Sequence, residues 1–245
     1  MRNILITIAY DGRNYHGWQI QKNSLSVQEV FQKNIEKILG HKVDLKGCSR
    51  TDSGVHANMY CISLKTNHQI PCQNLIRALN SYLPFDIAAK NCINVPDDFH
   101  ARYSCKAKEY IYKIYNHPVR DPFLNGLVYH YWYKLDAPSL NDAAQCFVGK
   151  HDFTSFCTID QRDRRNMQRT VKYFNVTKQD NIVTFKVCAD GFLYNMVRIM
   201  IGTLLRVAQG KFLPEDIPNI INAKDRGKAG PTAQACGLYL NKVFY

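Results

Sequence analysis

A single carboxylate lies in the polar stretch CSRTDSGVHA, residues 48 to 57. Arg50 precedes Asp52 by two positions, and a Ser-Gly turn and a histidine follow it. Asp52 could form a turn or cap, pair with an arginine, or act as a catalyst, and Asp is a common turn residue. In an extended backbone, Arg50 shares a face with Asp52. Arg50 could then stabilise the charged carboxylate, contact a phosphate, fill the gap left by a flipped base, or form an ordinary surface ion pair.

Several familiar catalytic sites are excluded by the motifs that the sequence lacks. It has no G-x-x-x-x-G-K-[ST] phosphate loop, no G-x-G-x-x-G turn, no H-E-x-x-H helix and no G-x-S-x-G elbow. None of the eight histidines pairs with cysteine or carboxylate at metal-ligand spacing. The sequence therefore predicts a protein without metal or nucleotide cofactor, whose catalysis depends on carboxylate, tyrosine and arginine.

Charge and aromatic content indicate a polyanionic partner. Lys and Arg outnumber Asp and Glu by 32 to 20, which gives a formal net charge of +12. General basicity that aids solubility explains this charge equally well. The 15 tyrosines and 12 phenylalanines favour nucleic acid, because aromatic faces stack on unpaired bases while cations contact phosphates.

The cysteines and the apolar segments predict a cytoplasmic protein without a membrane span. The nine cysteines form no CxxC pair, as expected of reduced thiols, and the N-terminus resembles a strand rather than a signal peptide. The most apolar later segment carries Arg198 and Arg206, which disfavours a membrane span.

Strands and helices alternate in two comparable halves. The first half has two predicted strand-helix-strand units, as in a ferredoxin-like α+β unit: strands at 3–9, 43–51, 58–66 and 86–95, and helices at 26–39 and 74–83. The second half has predicted elements as follows: a long strand within 99–116, a helix at 139–149, a hairpin turning at 179–181, helices at 192–210 and 213–223, and a strand at 237–245. The expected domains are 1–104 and 105–245.

Six blocks of the sequence resemble the TruA-type tRNA pseudouridine synthases, in the order that this family has them. They are YDGRNYHGWQIQ at 10–21, RTDSGVHA at 50–57, FHARYSCKAKEYIY at 99–112, GKHDFTSF at 149–156, GFLYNMVRIMIGTL at 191–204 and GLYL at 237–240. The resemblance covers nearly the whole chain. It implies two ferredoxin-like halves that share one continuous, curved, mainly antiparallel sheet flanked by helices. It also implies a homodimer that binds tRNA in basic grooves.

The resemblance further implies an isomerase that converts uridine to pseudouridine without a cofactor, at positions 38 to 40 of the tRNA anticodon stem-loop. The matching motif assigns Asp52 to the sugar of the target uridine, much as glycosidases use a carboxylate. Whether Asp52 attacks C1′ or removes a 2′ proton stays open. Arg50 is implied to act in base flipping.

Two residues of the second half complete the implied site. Tyr110 matches the tyrosine that stacks on the uracil and whose hydroxyl can assist proton transfer, although a strand aromatic can also simply fill the sheet face, as expected for Tyr112. Arg198 is implied to pair with Asp52. An arginine beside Met196 and Val197 is costly to bury unless it contacts an anion, and otherwise it extends to solvent.

Other basic residues are weaker candidates for RNA contacts. Lys106 and Lys108 alternate along the predicted strand that carries Tyr110, and Arg162, Arg164 and Arg165 lie in the basic run at 161–169. Such runs are ordinarily solvated loops. Ser49 and Asn195 depart from the usual family pattern, which leaves open a divergent paralogue with another target uridine. A tRNA-binding or folding module without catalysis is the alternative function. Asp52 argues against it, because a carboxylate weakens polyanion binding.

Overall fold

The computed structural model describes residues 1–158 and 166–245. The chain forms two compact units, Met1–Lys106 with Tyr239–Tyr245, and Ala107–Leu238. The division lies two residues after the predicted boundary at 104. The last seven residues, which the sequence places in the second half, belong to the first unit, where Tyr239 and Leu240 pair with His56 and Ala57.

The first unit has the strand and helix order of a ferredoxin-like fold. Its elements are β1 (Arg2–Tyr10), α1 (Val27–Leu39), β2 (Lys46–Gly47), β3 (His56–Thr66), α2 (Cys72–Tyr82) and β4 (Ile87–Val95). Strand β1 lies between β4 and β3, antiparallel to both, and β2 pairs antiparallel with β3. The last strand, β10 (Leu238–Phe244), runs parallel to β3. Each β-α-β connection thus returns the chain to one sheet.

The second unit has the order β-β-α-β-β-β-α-α, and without its two shortest strands it repeats the β-α-β-β-α order of the first unit. Its elements are β5 (Ala107–Asn116), β6 (Tyr129–Tyr131), α3 (Ala137–Gln145), β7 (Gly149–Asp152), β8 (Gln168–Gln179), β9 (Ile182–Ala189), α4 (Met196–Ala208) and α5 (Asp216–Ala223). Strands β5, β9, β8 and β7 pair antiparallel in that order, and β6 pairs parallel with β5. The described residues therefore confirm the α+β class, with ten strands and five α-helices.

Local chemistry explains where the helices begin and end. The Ser26 side chain accepts a hydrogen bond from the amide of Glu29 at the start of α1, as predicted from the sequence. Residues at four-residue spacing on α1, from Val27 to Leu39, are buried. Helix α4 begins at Met196, later than predicted, because Asn195 has a φ of 62° and is left-handed.

Two predicted strands are shorter than expected. The strand predicted at 43–51 has only the ladder residues Lys46–Gly47, because the chain then leaves the sheet to form the loop that carries Asp52. The strand predicted within 99–116 begins at Ala107, because His100 to Ser104 fold as a turn closed by the bond from the Ser104 amide to the His100 carbonyl, 2.9 Å. Strands β6 and β7 were not predicted from the sequence, since each has only three or four residues.

Within the described ranges, no helix combines the length and the apolar character that crossing a membrane requires.

Candidate active site

The loop between β2 and β3 carries Arg50 and Asp52. Arg50 is exposed, and Asp52 is half-buried. The residue between them is bonded at both its backbone and its side chain: the Thr51 carbonyl accepts from the Trp18 amide at 3.3 Å, and the hydroxyls of Thr51 and Tyr10 lie 2.8 Å apart. These bonds fix the backbone immediately before Asp52.

The backbone after Asp52 is also fixed. The Val55 amide donates to the Asp52 carbonyl at 3.2 Å, and the Gly54 amide donates to the Tyr15 carbonyl at 3.1 Å. The Ser53 hydroxyl donates to the same Tyr15 oxygen at 3.5 Å. Because each bond involves residues beside Asp52, its backbone position depends on both its own turn and the segment around Tyr15.

Residues 10 to 21 pack against the Asp52 loop by close backbone contact. A Cβ added at Gly12 would lie 2.0 Å from the Val55 carbonyl oxygen, and one added at Gly17 would lie 2.2 Å from that of Thr51. Gly17 also has a φ of +78°, which favours glycine. Both positions therefore require the absence of a side chain for the loop to lie where it does.

Tyr15 is in turn fixed through its side chain. Its hydroxyl donates to Asp86 Oδ1 at 2.6 Å, and the residue is buried. Burial and the hydrogen bond to Asp86 raise the pKa of Tyr15 above its ordinary value. The hydroxyl thus stays protonated and donates to Asp86 at physiological pH, and this bond anchors the residue whose carbonyl accepts from Ser53 and Gly54.

His56 closes the far end of the loop in a polar cluster. It is 1% exposed, its ring stacks on Tyr239 with centroids 4.5 Å apart, and its Nδ1 lies 3.1 Å from both the Gly12 amide nitrogen and Asp11 Oδ1. Nδ1 accepts from Gly12 when unprotonated and can donate to Asp11 when protonated. Burial raises the pKa of Asp11, but hydrogen bonds from Arg13 and the nearby charges of His56 and Arg13 outweigh it, so the pKa lies below its ordinary value.

Tyr110 lies on β5 in the second unit. It is 6% exposed, and its ring meets that of Phe192 edge to face, with centroids 5.1 Å apart. Tyr112 is fully buried, and its hydroxyl donates to the Gln234 carbonyl at 2.8 Å. Burial raises the pKa of Tyr112. The structure thus places Tyr112 in the core, as expected.

Arg198 is half-buried on the first turn of α4. Its Nε donates to the Ala233 carbonyl at 2.8 Å, and its Nη1 donates to Asn195 Oδ1 at 2.9 Å. These neutral oxygens satisfy part of the guanidinium, a contribution that the sequence did not reveal. Asn195, a departure from the family pattern, therefore contacts Arg198 directly. The predicted pairing of Arg198 with Asp52 stays a prediction.

The segment that contacts Arg198 packs closely on α4. A Cβ added at Gly202 would lie 1.7 Å from the Pro231 carbonyl oxygen. The Gly230 amide donates to the Thr203 hydroxyl at 2.9 Å, and the Ala233 amide donates to the Arg198 carbonyl at 3.0 Å. The direction of the Arg198 side chain is thus set from both α4 and residues 230 to 233.

The lysines and arginines predicted to contact RNA outside the candidate site differ in exposure and in the element that carries them. Lys108 lies on β5 and is half-buried. Lys106 is exposed but precedes β5, so the prediction that it alternates along that strand is wrong; its amide donates to the Phe244 carbonyl at 2.8 Å instead. Arg162, Arg164 and Arg165 lie outside the described residues. Among residues 1–158 and 166–245, no group of three or more His, Cys, Asp or Glu side chains could hold a metal ion.

Comparison with known proteins identifies the family. A family model described as tRNA pseudouridine synthase matches residues 6–104 and 143–245. Relatives named tRNA pseudouridine synthase A are 46% identical in Clostridium acetobutylicum, 45% in Thermoanaerobacter sp. strain X514 and 46% in Ruminiclostridium cellulolyticum, each over 245 residues and the whole of both chains. The chain belongs to the tRNA pseudouridine synthase family. As a tRNA pseudouridine synthase, it is an isomerase that makes pseudouridine in tRNA.

Sequence reasoning on this tRNA pseudouridine synthase missed the residues that support the Asp52 loop. Gly12, Tyr15 and Gly17 belong to the first matching block, but no role was inferred for them. The spacing of the two glycines and the tyrosine was the signal available in the sequence. It was not sufficient, because a glycine that a backbone approaches closely cannot be told from a turn glycine without the partner segment.

Gly17→Ala should lower kcat by about 10²-fold, because its Cβ would displace the Thr51 carbonyl and shift Asp52. Gly40→Ala is the matched control: Gly40 has a φ of +71° but no atom within 4 Å of an added Cβ. Both substitutions should lower the free energy of unfolding by about 1–2 kcal/mol, because each places a Cβ on a left-handed backbone. Thermal melts and single-turnover assays measure the two effects. Equal kcat values in the two variants would contradict a positioning role for the contact at Gly17.

Proposed function

We propose that this enzyme isomerises uridine at positions 38 to 40 of the tRNA anticodon stem-loop, with Asp52 as the reacting carboxylate. The observation that carries the proposal is the loop around Asp52, whose backbone is hydrogen-bonded on both sides while its side chain stays half-exposed. A catalytic carboxylate must be held in one position and still reach the substrate. A turn aspartate needs neither property.

The reaction balances without a cofactor. The bond between N1 and C1′ breaks, the uracil turns, a bond forms between C5 and C1′, and the proton lost from C5 is matched by one gained at N1. Asp52 either attacks C1′ or removes the 2′ proton to release the base, and both routes remain open. In the first route the carboxylate attacks the oxocarbenium-like C1′, as carboxylates do in glycosidases, and C5 later displaces it. In the second route the carboxylate returns the proton to C2′ when C5 bonds to C1′.

The other site residues have complementary roles in the proposal. Arg50, exposed next to Asp52, takes the space left by the flipped base. Tyr110 stacks on the uracil, and its hydroxyl assists proton transfer. Arg198, a half-buried cation on the first turn of α4, neutralises Asp52 during the reaction, because a buried guanidinium is stabilised by an anion.

The net charge of +12 supports tRNA as the binding partner. We also propose that the enzyme is a cytoplasmic homodimer, that basic grooves hold the RNA backbone, and that no metal or nucleotide cofactor takes part. Lys106 and Lys108 are the described basic residues that we assign to these grooves, and Arg162, Arg164 and Arg165 remain candidates from the sequence. Sedimentation of the purified protein tests the dimer.

Mapping of pseudouridine tests the function directly. Unmodified tRNA transcripts are incubated with the pure enzyme, and carbodiimide adducts are located by reverse transcription. Stops at positions 38, 39 or 40 are expected. Modification only at other uridines would identify a divergent paralogue. In that case Asn195, which contacts Arg198, is the first residue to substitute in a test of target choice. Binding without any modification would indicate the tRNA-binding module instead.

Asp52→Asn should abolish pseudouridine formation, because the amide keeps the size of the side chain but cannot act as nucleophile or base. Binding of tRNA should be unchanged or tighter, since a negative charge is removed. Asp98→Asn, an exposed substitution in the same unit, changes the net charge equally and is the control. Turnover by Asp52→Asn comparable with that of Asp98→Asn would remove Asp52 from the catalytic role.

Tyr110→Phe should retain tRNA binding through its ring but slow the chemical step by about 10²- to 10⁴-fold if the hydroxyl transfers a proton. Tyr112→Phe is the matched control on the same face of β5. It loses the hydrogen bond to Gln234, so it should lose about 1 kcal/mol of stability while its single-turnover rate stays near that of the parent. A normal rate in Tyr110→Phe would restrict Tyr110 to stacking.

Arg198→Met should keep the packing of α4 yet reduce turnover by about 10²- to 10³-fold, because a charge that stabilises the reacting centre is lost. Arg206→Met, on the same helix, removes an arginine that donates to Gln209 at 3.1 Å and is the control for helix stability. Melting temperatures and single-turnover rates separate the effects. Activity loss in proportion to a lower melting temperature would indicate packing alone.

A further inference from the structure

The turn between β4 and β5 displays an arginine and a tyrosine that the catalytic roles leave unused. Arg102 is exposed, and Tyr103 is 78% exposed. The guanidinium carbon of Arg102 lies 6.0 Å from the centroid of the Tyr103 ring. The turn belongs to the block FHARYSCKAKEYIY, yet only the later residues of that block were given roles.

The backbone of this turn is fixed from the interior of the first unit. Ala101, directly before the pair, is fully buried. Its amide donates to the Ser63 hydroxyl at 3.0 Å, and its carbonyl accepts from the Tyr245 hydroxyl at 2.9 Å. The turn is closed at its other end, where the His100 amide donates to the Ser104 hydroxyl at 3.1 Å. The exposed pair therefore projects from a rigid support.

His100 orients both exposed residues. Its Nδ1 accepts from the Arg102 amide at 3.1 Å and from the Tyr103 amide at 3.4 Å. Its ring also lies against the Tyr103 ring, with centroids 4.4 Å apart. The tyrosine ring is thus supported on one side and largely open to solvent elsewhere, so an incoming planar group would meet a ring with little rotational freedom left to lose.

A single exposed aromatic residue is common and carries no function by itself. Here the ring lies beside a cation, on a fixed turn, in a chain with a net charge of +12. Unpaired nucleic-acid bases stack on aromatic rings, and arginine contacts the phosphates between them. This combination fits RNA better than a protein surface, which would offer neither a regular anion nor a free planar base.

We propose that Arg102 and Tyr103 form a contact site for an unpaired segment of the tRNA substrate. A base stacks on the Tyr103 ring, and Arg102 neutralises an adjacent phosphate. The proposal rests on tRNA being the substrate, and it assigns the pair to binding rather than to the reaction. Tyr103 and Arg102 therefore determine affinity for tRNA, while the chemical step at saturating tRNA does not depend on them.

Filter binding of an unmodified tRNA transcript tests the site. Tyr103→Ala should raise the Kd by about 5- to 150-fold, the range that loss of one stacked base produces, and Tyr103→Phe should bind within about twofold of the parent because it keeps the ring. Arg102→Gln should weaken binding and reduce the slope of log K against log salt by about 0.7, one phosphate contact with single-stranded RNA. Single-turnover rates at saturating tRNA should stay within about twofold of the parent.

Phe85→Ala and Arg77→Gln are the controls, since both remove exposed side chains of the same kind from the first unit and should leave the Kd unchanged. Unchanged Kd values in Tyr103→Ala and Arg102→Gln would overturn the proposal, as would equal weakening by Tyr103→Ala and Tyr103→Phe. A lower molar mass of Tyr103→Ala in sedimentation without RNA would also overturn it, by assigning the pair to a contact between protein copies. The binding assay does not depend on turnover. If the parent protein binds tRNA through Tyr103 but forms no pseudouridine, the proposed function is rejected and the proposed contact site is retained.

Discussion

The close approach of two backbone segments at Gly12 and Gly17 is the constraint on which the candidate site of the first unit depends. Distances of 2.0 and 2.2 Å from an added Cβ to the carbonyls of Val55 and Thr51 leave no room for any side chain. The Asp52 loop contains little regular structure, so its conformation depends on its own turn and on contact with residues 10 to 21. Position is thus conferred on the carboxylate by a neighbouring segment rather than by a strand or helix that contains it.

The second unit uses a related arrangement around Arg198. There the arginine lies on a regular helix, and the irregular segment at residues 230 to 233 approaches that helix at Gly202. Backbone bonds from this segment then reach both the carbonyl and the Nε of Arg198. In each unit a glycine permits contact between the element of a candidate site residue and a segment far away in sequence. The cost is a strict limit on substitution at the glycine.

Local signals explain which parts of the fold could be predicted. The Ser26 cap and the β8–β9 turn at residues 179 to 181 depend on neighbouring residues, and both were predicted correctly. The limits of β2 and β5 were missed because loops fixed by distant partners replace the expected strand there: Ala101, for example, bonds to Ser63 and Tyr245. The site residues were named through family motifs. The contact of Asp86 with Tyr15 joins residues distant in sequence, and the local contact of Asn195 with Arg198 forms where Asn195 adopts a left-handed backbone before α4, so the sequence pattern revealed neither.

The return of β10 to the first unit has a consequence for the order in which the protein is completed during synthesis. Residues 1 to 106 leave the ribosome early, but Tyr239, which stacks on His56, and Tyr245, which bonds to Ala101, follow only after the whole second unit has been made. The unit that carries Asp52 therefore waits longest for its final strand. Until residues 239 to 245 are made, the edge of β3 at His56 and Ala57 lacks its pairing with β10, and this part of the edge stays open during synthesis of residues 107 to 238.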